Sequence, residues 1–198
     1  MIYLARHGRT AYNLEGRFQG QGPVPLDDVG RRQAAELAEL AAGYGFRALW
    51  ASPVVRARQT AEVVARRLGL PIRFDARLAE TDTGAWTDRS FAEVEAEAPE
   101  AFARWRTGAA GFAFPGGESF AQQADRVVAA LEEVARGPQP ALVVCHGMTI
   151  RVALARRHGL ADPGPNDIPN GGIVPYDEEA HAADGRVAPP HATATPPS

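Results

Sequence analysis

The sequence predicts an α/β fold with a mostly parallel sheet, helices on both faces and a small helical insertion over the active site. Three observations predict it. Short, continuously apolar runs are typical of buried parallel strands. Segments with helical spacing of apolar residues alternate with these runs along the chain. The middle third, residues 79–118, interrupts the alternation and carries much of the aromatic content, which indicates an insertion over the sheet.

The first third of the chain contains two predicted helices between three predicted strands. In order, these are a strand at 2–5, a helix from 28 to about 43, a strand at 48–51, a helix ending near 68 and a strand at 71–74. Asp27 is expected to cap the first helix. Ser52 is expected to cap the second, with Pro53 at its first position and Gly69 just after its end. A Gly- and Pro-rich loop is predicted over 16–25.

The rest of the chain resumes the alternation after the insertion. It contains a predicted helix over about 119–135, a strand at 141–145, a helix over about 149–158 and an edge strand at 173–174. Pro175 favours an edge position for that last strand. Within the insertion Trp86 is expected to line a cleft, and the other aromatic side chains are expected to pack together. We predict one domain over residues 1–188 and a disordered tail, rich in Pro, Ala and Thr, over 189–198.

The net charge and the absence of lysine exclude several classes of function. The 198 residues carry a net charge of -3 and a pI near 6.0, which argues against partners such as nucleic acid or a membrane surface. No lysine is present, so Schiff-base chemistry and a P-loop lysine are excluded.

Cys145 is the only cysteine. Without a signal-peptide pattern or an apolar span, a cytoplasmic setting is expected. The oligomeric state stays open, with a homodimer as one alternative.

Two histidines follow predicted strands at the point where each strand ends. His7 comes after the 2–5 run and directly after Arg6, and His146 comes after the 141–145 run. In an open α/β sheet the carboxyl ends of the strands form the edge where ligands bind. A single histidine in such a place is more often structural than functional. Two of them, with an arginine beside one, indicate a phosphate site.

Further polar residues join this edge from other elements. Arg56 opens the helix after the second strand, and Glu80 begins the insertion. Arginines bind phosphate oxygens through directed, charge-assisted hydrogen bonds. A histidine ring nitrogen is able to attack phosphorus, and a carboxylic acid such as Glu80 is able to protonate the leaving oxygen. The residue types therefore indicate phosphoryl transfer.

The motifs resemble those of the histidine phosphatase superfamily, which has the phosphoglycerate-mutase-like fold. The segments that carry the resemblance are RHGRTAYN at 6–13, RFQG at 17–20, ASP at 51–53, LAE at 78–80, GGES at 116–119 and VCHG at 144–147. They occur in family order over residues 1 to about 158. The compact chain and the segment from 78 to 86 resemble the phosphatase branch more than the mutases, which usually carry a substrate-binding lysine.

The resemblance implies a role for each site residue. His7 would be the nucleophile and Glu80 the proton donor, with Arg6, Arg56 and His146 as phosphate ligands. Substrate contacts would come from Asn13, Gln19, Gly147 and the backbone N–H of Met148. Arg9 stands where many relatives have glutamate, and we hypothesise that it reaches the pocket rim and binds a second anionic group. No metal and no cofactor are implied.

The expected function is a metal-independent phosphomonoesterase that acts on a small phosphorylated metabolite through a phosphohistidine. A cofactor-dependent phosphoglycerate mutase is the first alternative, because it would share the phosphohistidine and differ only in the acceptor. A non-catalytic protein that binds phosphorylated ligands is a third class. The joint presence of His7, His146, Arg6, Arg56 and Glu80 argues against that class. The substrate and its pathway are not indicated by these residues.

Overall fold

The computed structural model describes residues 1–109, 111–160 and 168–177. In these ranges the strands are β1 (Ile2–Arg6), β2 (Ala48–Ala51), β3 (Ile72–Phe74), β4 (Ala141–Cys145) and β5 (Ile173–Pro175). The helices are α1 (Ala11–Glu15), α2 (Asp28–Ala42), α3 (Val55–Leu68), α4 (Phe91–Glu97), α5 (Pro99–Thr107), α6 (Phe120–Ala135) and α7 (Gly147–Arg157). The predicted tail, 189–198, lies outside the described residues.

The strands form one mixed sheet in the order β3-β2-β4-β1-β5. β4 pairs in parallel with both β1 and β2, and β2 pairs in parallel with β3. β5 runs antiparallel to β1 at the edge of the sheet, where Pro175 is tolerated because no further strand needs its missing N–H. The mostly parallel sheet and its edge strand confirm the predicted fold class.

Helices cover both faces of the sheet. On one face, α2 and α3 pack their small and branched side chains against alternate residues of β1, β2 and β4, including Tyr3, Leu49 and Val144. On the other face, α6 and α7 pack against the intervening residues, including Leu4 and Val143. The chain therefore leaves the adjacent strands β1 and β4 toward opposite faces. In α/β sheets this arrangement opens a crevice at the carboxyl ends of those two strands.

The predicted cap of α3 is wrong. The helix begins at Val55, and Val54 is its N-cap, without a side-chain hydrogen bond. Ser52 instead follows directly after β2, and its N–H donates to the Val144 carbonyl at 3.0 Å. Its hydroxyl lies 2.7 Å from Nε2 of His146, so a contact across the sheet has replaced the local cap. The predicted cap of α2 is present, since Asp27 accepts a hydrogen bond from the Gly30 N–H at 2.7 Å.

Two helices near the strand ends differ from the prediction. α7 begins at Gly147, two residues earlier than expected, with His146 as its N-cap. α1 was not predicted, although Thr10 and Asn13 form a capping box around it. Both helices begin directly after a strand-end histidine segment. The backbone at each of these points therefore turns from strand to helix within a few residues of the histidine.

The insertion is built around an aromatic cluster that includes Phe18. The cluster comprises Phe18, Trp86, Val94, Phe102, Phe112, Phe114, Phe120, Ala124, Met148 and Val152. Since Met148 and Val152 belong to α7, this cluster joins the insertion to the helix that follows His146. Trp86 is only 3% exposed and lies inside the cluster, so its predicted place on a cleft wall is wrong. In the described ranges, no helix is both long and apolar enough to span a bilayer.

We predict that Gly30→Ala destabilises the protein, although alanine normally favours a helix. A Cβ on Gly30 would lie 2.0 Å from the Arg9 carbonyl oxygen, so the loop after β1 would have to move. Overpacking of this kind costs about 1–3 kcal/mol of unfolding free energy. Gly43→Ala, at the other end of α2, is the matched control, because its Cβ would meet only Leu40 at 3.5 Å. Equal unfolding free energies for the two variants in urea would contradict the prediction.

Candidate active site

The two predicted histidines meet because their strands are paired in register. Arg6 of β1 lies opposite Cys145 of β4, so the next residues, His7 and His146, lie side by side. Their ring centroids are 5.2 Å apart, and both side chains are buried. Nδ1 of His7 lies 2.7 Å from the Gly8 carbonyl oxygen, which only accepts, so Nδ1 carries the proton. The lone pair of His7 is therefore on Nε2.

Arg56 lies against that same nitrogen. Its Nε donates to Nε2 of His7 at 3.2 Å, and its Nη2 donates to the Gly20 carbonyl at 2.8 Å. The guanidinium is 1% exposed. Burial is the main cause that lowers the pKa of Arg56 to about 10, so the group stays cationic at neutral pH. Arg6 is the second cation here; its Nη1 donates to the Ile168 carbonyl at 2.7 Å, and its buried Nε has no partner among the described residues.

His146 is not among the residues that line the cavity beside His7, so its expected role as a phosphate ligand stays a prediction. Its Nε2 is 2.7 Å from the Ser52 hydroxyl, while its buried Nδ1 has no hydrogen-bond partner in the described part of the chain. Burial, followed by the charge of Arg56, lowers the pKa of both His7 and His146 well below the usual value of 6.5. Both imidazoles are therefore neutral near pH 7. A neutral His7 has a lone pair on Nε2, which accepts the hydrogen bond from Arg56 in this structure and is the atom able to attack an electrophile.

Glu80 faces this cationic group from the start of the insertion. Its carboxylate raises the pKa of Arg6 and of Arg56, in opposition to the effect of burial. One carboxylate oxygen, Oε1, accepts from the Thr81 N–H at 3.0 Å and from Nε2 of Gln123 at 3.3 Å. The side chain is half-buried, so its hydrogen-bonded carboxyl is held at the wall while remaining accessible from the cavity.

The backbone around Glu80 is held by residues of α6 that the sequence did not indicate. Arg126 donates to the carbonyls of Ala79 at 2.8 Å and Glu80 at 3.1 Å, and it pairs with Glu118 at 2.6 Å. Gln123, which is fully buried, accepts from the Thr81 hydroxyl at 2.5 Å. These contacts fix the segment that carries Glu80 to α6. They could not be found from spacing, because polar residues on a helix usually face solvent.

A cavity of about 550 Å³ opens at these groups. The predicted site residues that line it are Arg6, His7, Asn13, Gln19, Arg56, Glu80, Gly147 and Met148. The lining residues that the sequence did not indicate include Tyr12, Arg17, Phe91, Trp105, Arg106, Arg151 and Asn170. Among the latter, Asn170 donates from its Nδ2 to the His7 carbonyl at 3.0 Å. Phe91 and Trp105 take the cleft position expected of Trp86.

Arg9 is not at the cavity, so its predicted place at the pocket rim is wrong. Its Nε pairs with the Asp27 carboxylate at 2.8 Å, and its N–H donates to Gln33 at 2.8 Å. Asp27 is the N-cap of α2, and Gln33 lies within that helix. The charge of Arg9 is therefore already neutralised by a neighbour.

The described residues contain no group of three or more His, Cys, Asp or Glu side chains placed to hold a metal ion. The charged groups at the cavity are instead guanidinium ions and one carboxylate. Together with the N-terminus of α7, these provide hydrogen-bond donors and positive potential for an anion. The neutral imidazole of His7 lies beside them, with its Nε2 lone pair directed at Arg56. The arrangement is suited to binding a phosphate ester and attacking its phosphorus atom.

Comparison with known proteins matches this chain to one family. The model of the histidine phosphatase superfamily (branch 1) matches residues 2–177. A relative from Salmonella paratyphi B, named probable phosphoglycerate mutase GpmB, is 36% identical over 162 residues, which cover 80% of this chain and 75% of the relative.

Solved structures are also similar over most of the chain. A mycobacterial glucosyl-3-phosphoglycerate phosphatase, solved with VO3, has a TM-score of 0.79 and 34% identity, and the match covers 87% of this chain and 90% of that one. YhfR of Bacillus stearothermophilus has a TM-score of 0.81 and 28% identity, with coverage of 87% and 88%. The neighbours therefore share both the sheet and the covering helices.

The buried, neutral histidines predict a specific pH dependence of stability. Because the folded-state pKa of His7 and His146 is depressed below 6.5, the unfolded chain binds more protons once the pH falls below that value. The unfolding free energy should therefore fall as the pH drops from about 6.5 to about 5, by up to about 1.4 kcal/mol per pH unit for each histidine. Urea unfolding at several pH values measures this slope.

The double variant His7→Gln/His146→Gln is the control for that slope. Carboxylates in the protein also titrate at acid pH, and they contribute equally to the wild type and the variant. The difference between the two slopes therefore isolates the histidines. Identical slopes between about pH 6.5 and about pH 5 would contradict the prediction.

Proposed function

Because the chain belongs to the histidine phosphatase superfamily, branch 1, we propose that it is a phosphomonoesterase that hydrolyses a small phosphorylated metabolite without a metal ion. The observation that carries the proposal is the state of His7. Its Nδ1 proton is held by the Gly8 carbonyl at 2.7 Å, which leaves Nε2 as a nucleophile at the cavity beside Arg56. The phosphatase neighbours support hydrolysis as the reaction.

The proposed first step transfers the phosphoryl group to His7. Nε2 attacks phosphorus in line with the ester bond, so a P–N bond forms while the P–O bond to the alcohol breaks. Glu80, in its acid form, donates a proton to the departing oxygen, and the alcohol leaves. The Gly8 carbonyl accepts a hydrogen bond from Nδ1–H throughout and stabilises the positive charge that develops on the imidazole ring.

The second step regenerates the enzyme. Glu80, now a carboxylate, takes a proton from a water molecule, whose oxygen attacks phosphorus as the P–N bond breaks. Inorganic phosphate leaves, and Nε2 regains its lone pair. Charge on the phosphoryl oxygens is stabilised in both steps by Arg6, Arg56 and the first-turn N–H groups of α7, including that of Met148. These groups supply the positive field that a metal ion would otherwise supply.

A cofactor-dependent phosphoglycerate mutase is the second candidate. It is favoured by the 36% identical relative that carries that name. In a mutase the phosphohistidine would pass its phosphoryl group to a substrate hydroxyl instead of water. The absence of lysine from the sequence and the phosphatase structures among the neighbours favour hydrolysis. A non-catalytic binding protein would have no need of both a histidine suited to attack and a carboxylic acid in the lining of one cavity.

We predict that His7→Ala lowers kcat by roughly a thousandfold or more, because the variant lacks the attacking atom. Rapid acid-free quenching of wild type with a ³²P-labelled substrate should trap acid-labile phosphate on the protein, and the variant should trap none. Release of inorganic phosphate should exceed any mutase turnover of 3-phosphoglycerate. EDTA should leave the rate unchanged.

Near-normal turnover by the His7→Ala variant would reject the covalent mechanism. Loss of activity in EDTA that a divalent ion restores would reject metal independence. Conversion of 3-phosphoglycerate to its 2-isomer faster than phosphate release would favour the mutase.

The role of Glu80 is tested by the leaving group. A general acid is needed most when the departing oxygen is a strong base, as in an alkyl phosphate. Glu80→Gln should therefore lower kcat/KM for an alkyl phosphate by roughly a hundredfold or more, and much less for p-nitrophenyl phosphate. Asp82→Asn, two residues along the same segment, serves as the control and should affect both substrates little. Equal losses for both substrates in the Glu80 variant would indicate a structural role.

A further inference from the structure

Gln123 is a fully buried polar residue on α6 that does not line the cavity. Burial of a primary amide costs free energy unless its oxygen and its two N–H bonds have hydrogen-bond partners. The Gln123 oxygen has a partner in Thr81, and its nitrogen has partners in Glu80 and Thr149. One of these partners is the carboxylate to which the proposed mechanism gives the role of acid. The amide is therefore paired with a residue of the cavity wall.

The orientation of the Gln123 amide follows from its neighbours. The Thr149 hydroxyl has a single hydrogen, and both of its acceptors, the Ala79 carbonyl at 3.1 Å and the Glu80 carboxylate at 3.5 Å, lie away from the amide. Toward Gln123 this hydroxyl is therefore an acceptor, and it receives a hydrogen bond from Nε2 at 3.2 Å. On the other side of the amide, the Thr81 hydroxyl donates to Oε1 at 2.5 Å. A flipped amide would lose the hydrogen bonds to Thr149 and Glu80.

The second hydrogen on Nε2 of Gln123 is directed at one oxygen of Glu80. Nε2 donates to Oε1 of the Glu80 carboxylate at 3.3 Å, and the backbone N–H of Thr81 donates to the same oxygen at 3.0 Å. Both donors are N–H groups, which do not accept a hydrogen bond from a carboxyl O–H. In the acid form of Glu80, Oε1 is therefore the carbonyl oxygen and the proton is on Oε2. No described residue donates a hydrogen bond to Oε2.

The position of this proton matters for a general acid. A carboxylic acid protonates a leaving group only when its O–H lies within hydrogen-bonding distance of the departing oxygen. A carboxyl group that rotates freely carries its proton on either oxygen, so for part of the time the proton is directed away from the substrate. Glu80 lines the cavity, and its Oε1 already accepts from two donors. Oε2 is the oxygen that is left for the substrate.

We propose that Gln123 is a positioning residue for the general acid, and that its Nε2 holds Oε1 of Glu80 so that the transferable proton is on Oε2. In the first step the O–H bond at Oε2 breaks, the proton goes to the departing ester oxygen, and the electron pair stays on Oε2. In the second step Oε2 takes a proton from the attacking water. Gln123 exchanges no proton and contacts no substrate. This inference rests on the proposed phosphatase function, in which Glu80 is the acid.

The test uses two substrates whose leaving groups differ in their need for an acid. Gln123→Met keeps the length of the side chain and removes the amide that contacts Glu80. It should lower kcat/KM for glycerol 3-phosphate, an alkyl ester, by about tenfold, which is the size of effect expected for one lost hydrogen bond. For p-nitrophenyl phosphate kcat/KM should change by less than about twofold, because this leaving group departs without a proton. Equal losses for the two substrates would overturn the proposal.

Two further variants separate positioning from packing. Thr81→Val removes the hydroxyl that orients the Gln123 amide and keeps the backbone N–H, so it should change the ratio of the two kcat/KM values in the same direction. Val127→Ala is the matched control, because Val127 lies one turn after Gln123 on α6 and belongs to the core under the sheet. It should lower the unfolding free energy, measured in urea for all three variants, and leave the ratio unchanged. A ratio that changes as much in Val127→Ala as in Gln123→Met would overturn the proposal.

A double-variant cycle separates this inference from the proposed function. In Glu80→Gln no acid proton is left to position, so adding Gln123→Met should lower kcat/KM for glycerol 3-phosphate by less than about twofold more. A further loss of about tenfold in that background would overturn the inference, because Gln123 would then act through another group. If Glu80→Gln selectively slows the alkyl ester and Gln123→Met does not, this inference fails and the phosphatase proposal stands. If Glu80→Gln slows both esters equally, Glu80 is not the acid, and the proposed acid step fails together with this inference.

Discussion

The pairing of β4 with both β1 and β2 is the constraint on which the rest of the site depends. Because all three strands run in parallel, the residues that follow them, His7, His146 and Ser52, arrive at one edge in adjacent positions. The contacts of 5.2 Å between the two rings and 2.7 Å between Ser52 and His146 are direct results of that register. A shift of one residue between β1 and β4 would turn one histidine to the opposite face of the sheet.

A second set of contacts holds Glu80 at the cavity that His7 also lines. Glu80 lies at the start of the insertion, a few residues after β3, and contacts Gln123 and Arg126 of α6. The ion pair between Arg126 and Glu118 and the hydrogen bonds from Arg126 to backbone carbonyls tie this segment to the sheet-covering helix. The aromatic cluster then fixes the insertion to α7 through Met148. His7 and Glu80 thus line one cavity, each on a segment held by other parts of the fold.

Prediction from the sequence succeeded where the position of a residue depends on its neighbours in the chain. The apolar runs before His7 and His146 identified two strand ends, and the sheet order then brought them together as expected. The predicted role of a residue was wrong where the fold brings a partner from a distant part of the chain into contact with it. Ser52 followed by Pro53 has the pattern of a helix cap, but the hydroxyl bonds to His146, 94 residues away. Arg9, Gln123 and Arg126 were misjudged or missed for the same reason, since their roles depend on partners that only the fold brings near.

We propose that Nε2 of His7 is the atom that attacks phosphorus, with Arg6 and Arg56 binding the phosphoryl oxygens. The most direct test is a crystal structure of this protein with vanadate, which adopts the five-coordinate geometry of a phosphoryl group in transfer. We expect vanadium bonded to Nε2 of His7, equatorial oxygens on Arg6 and Arg56, and the apical oxygen within hydrogen-bonding distance of Glu80. Vanadate bonded to another residue, or bound with no bond to His7, would contradict it.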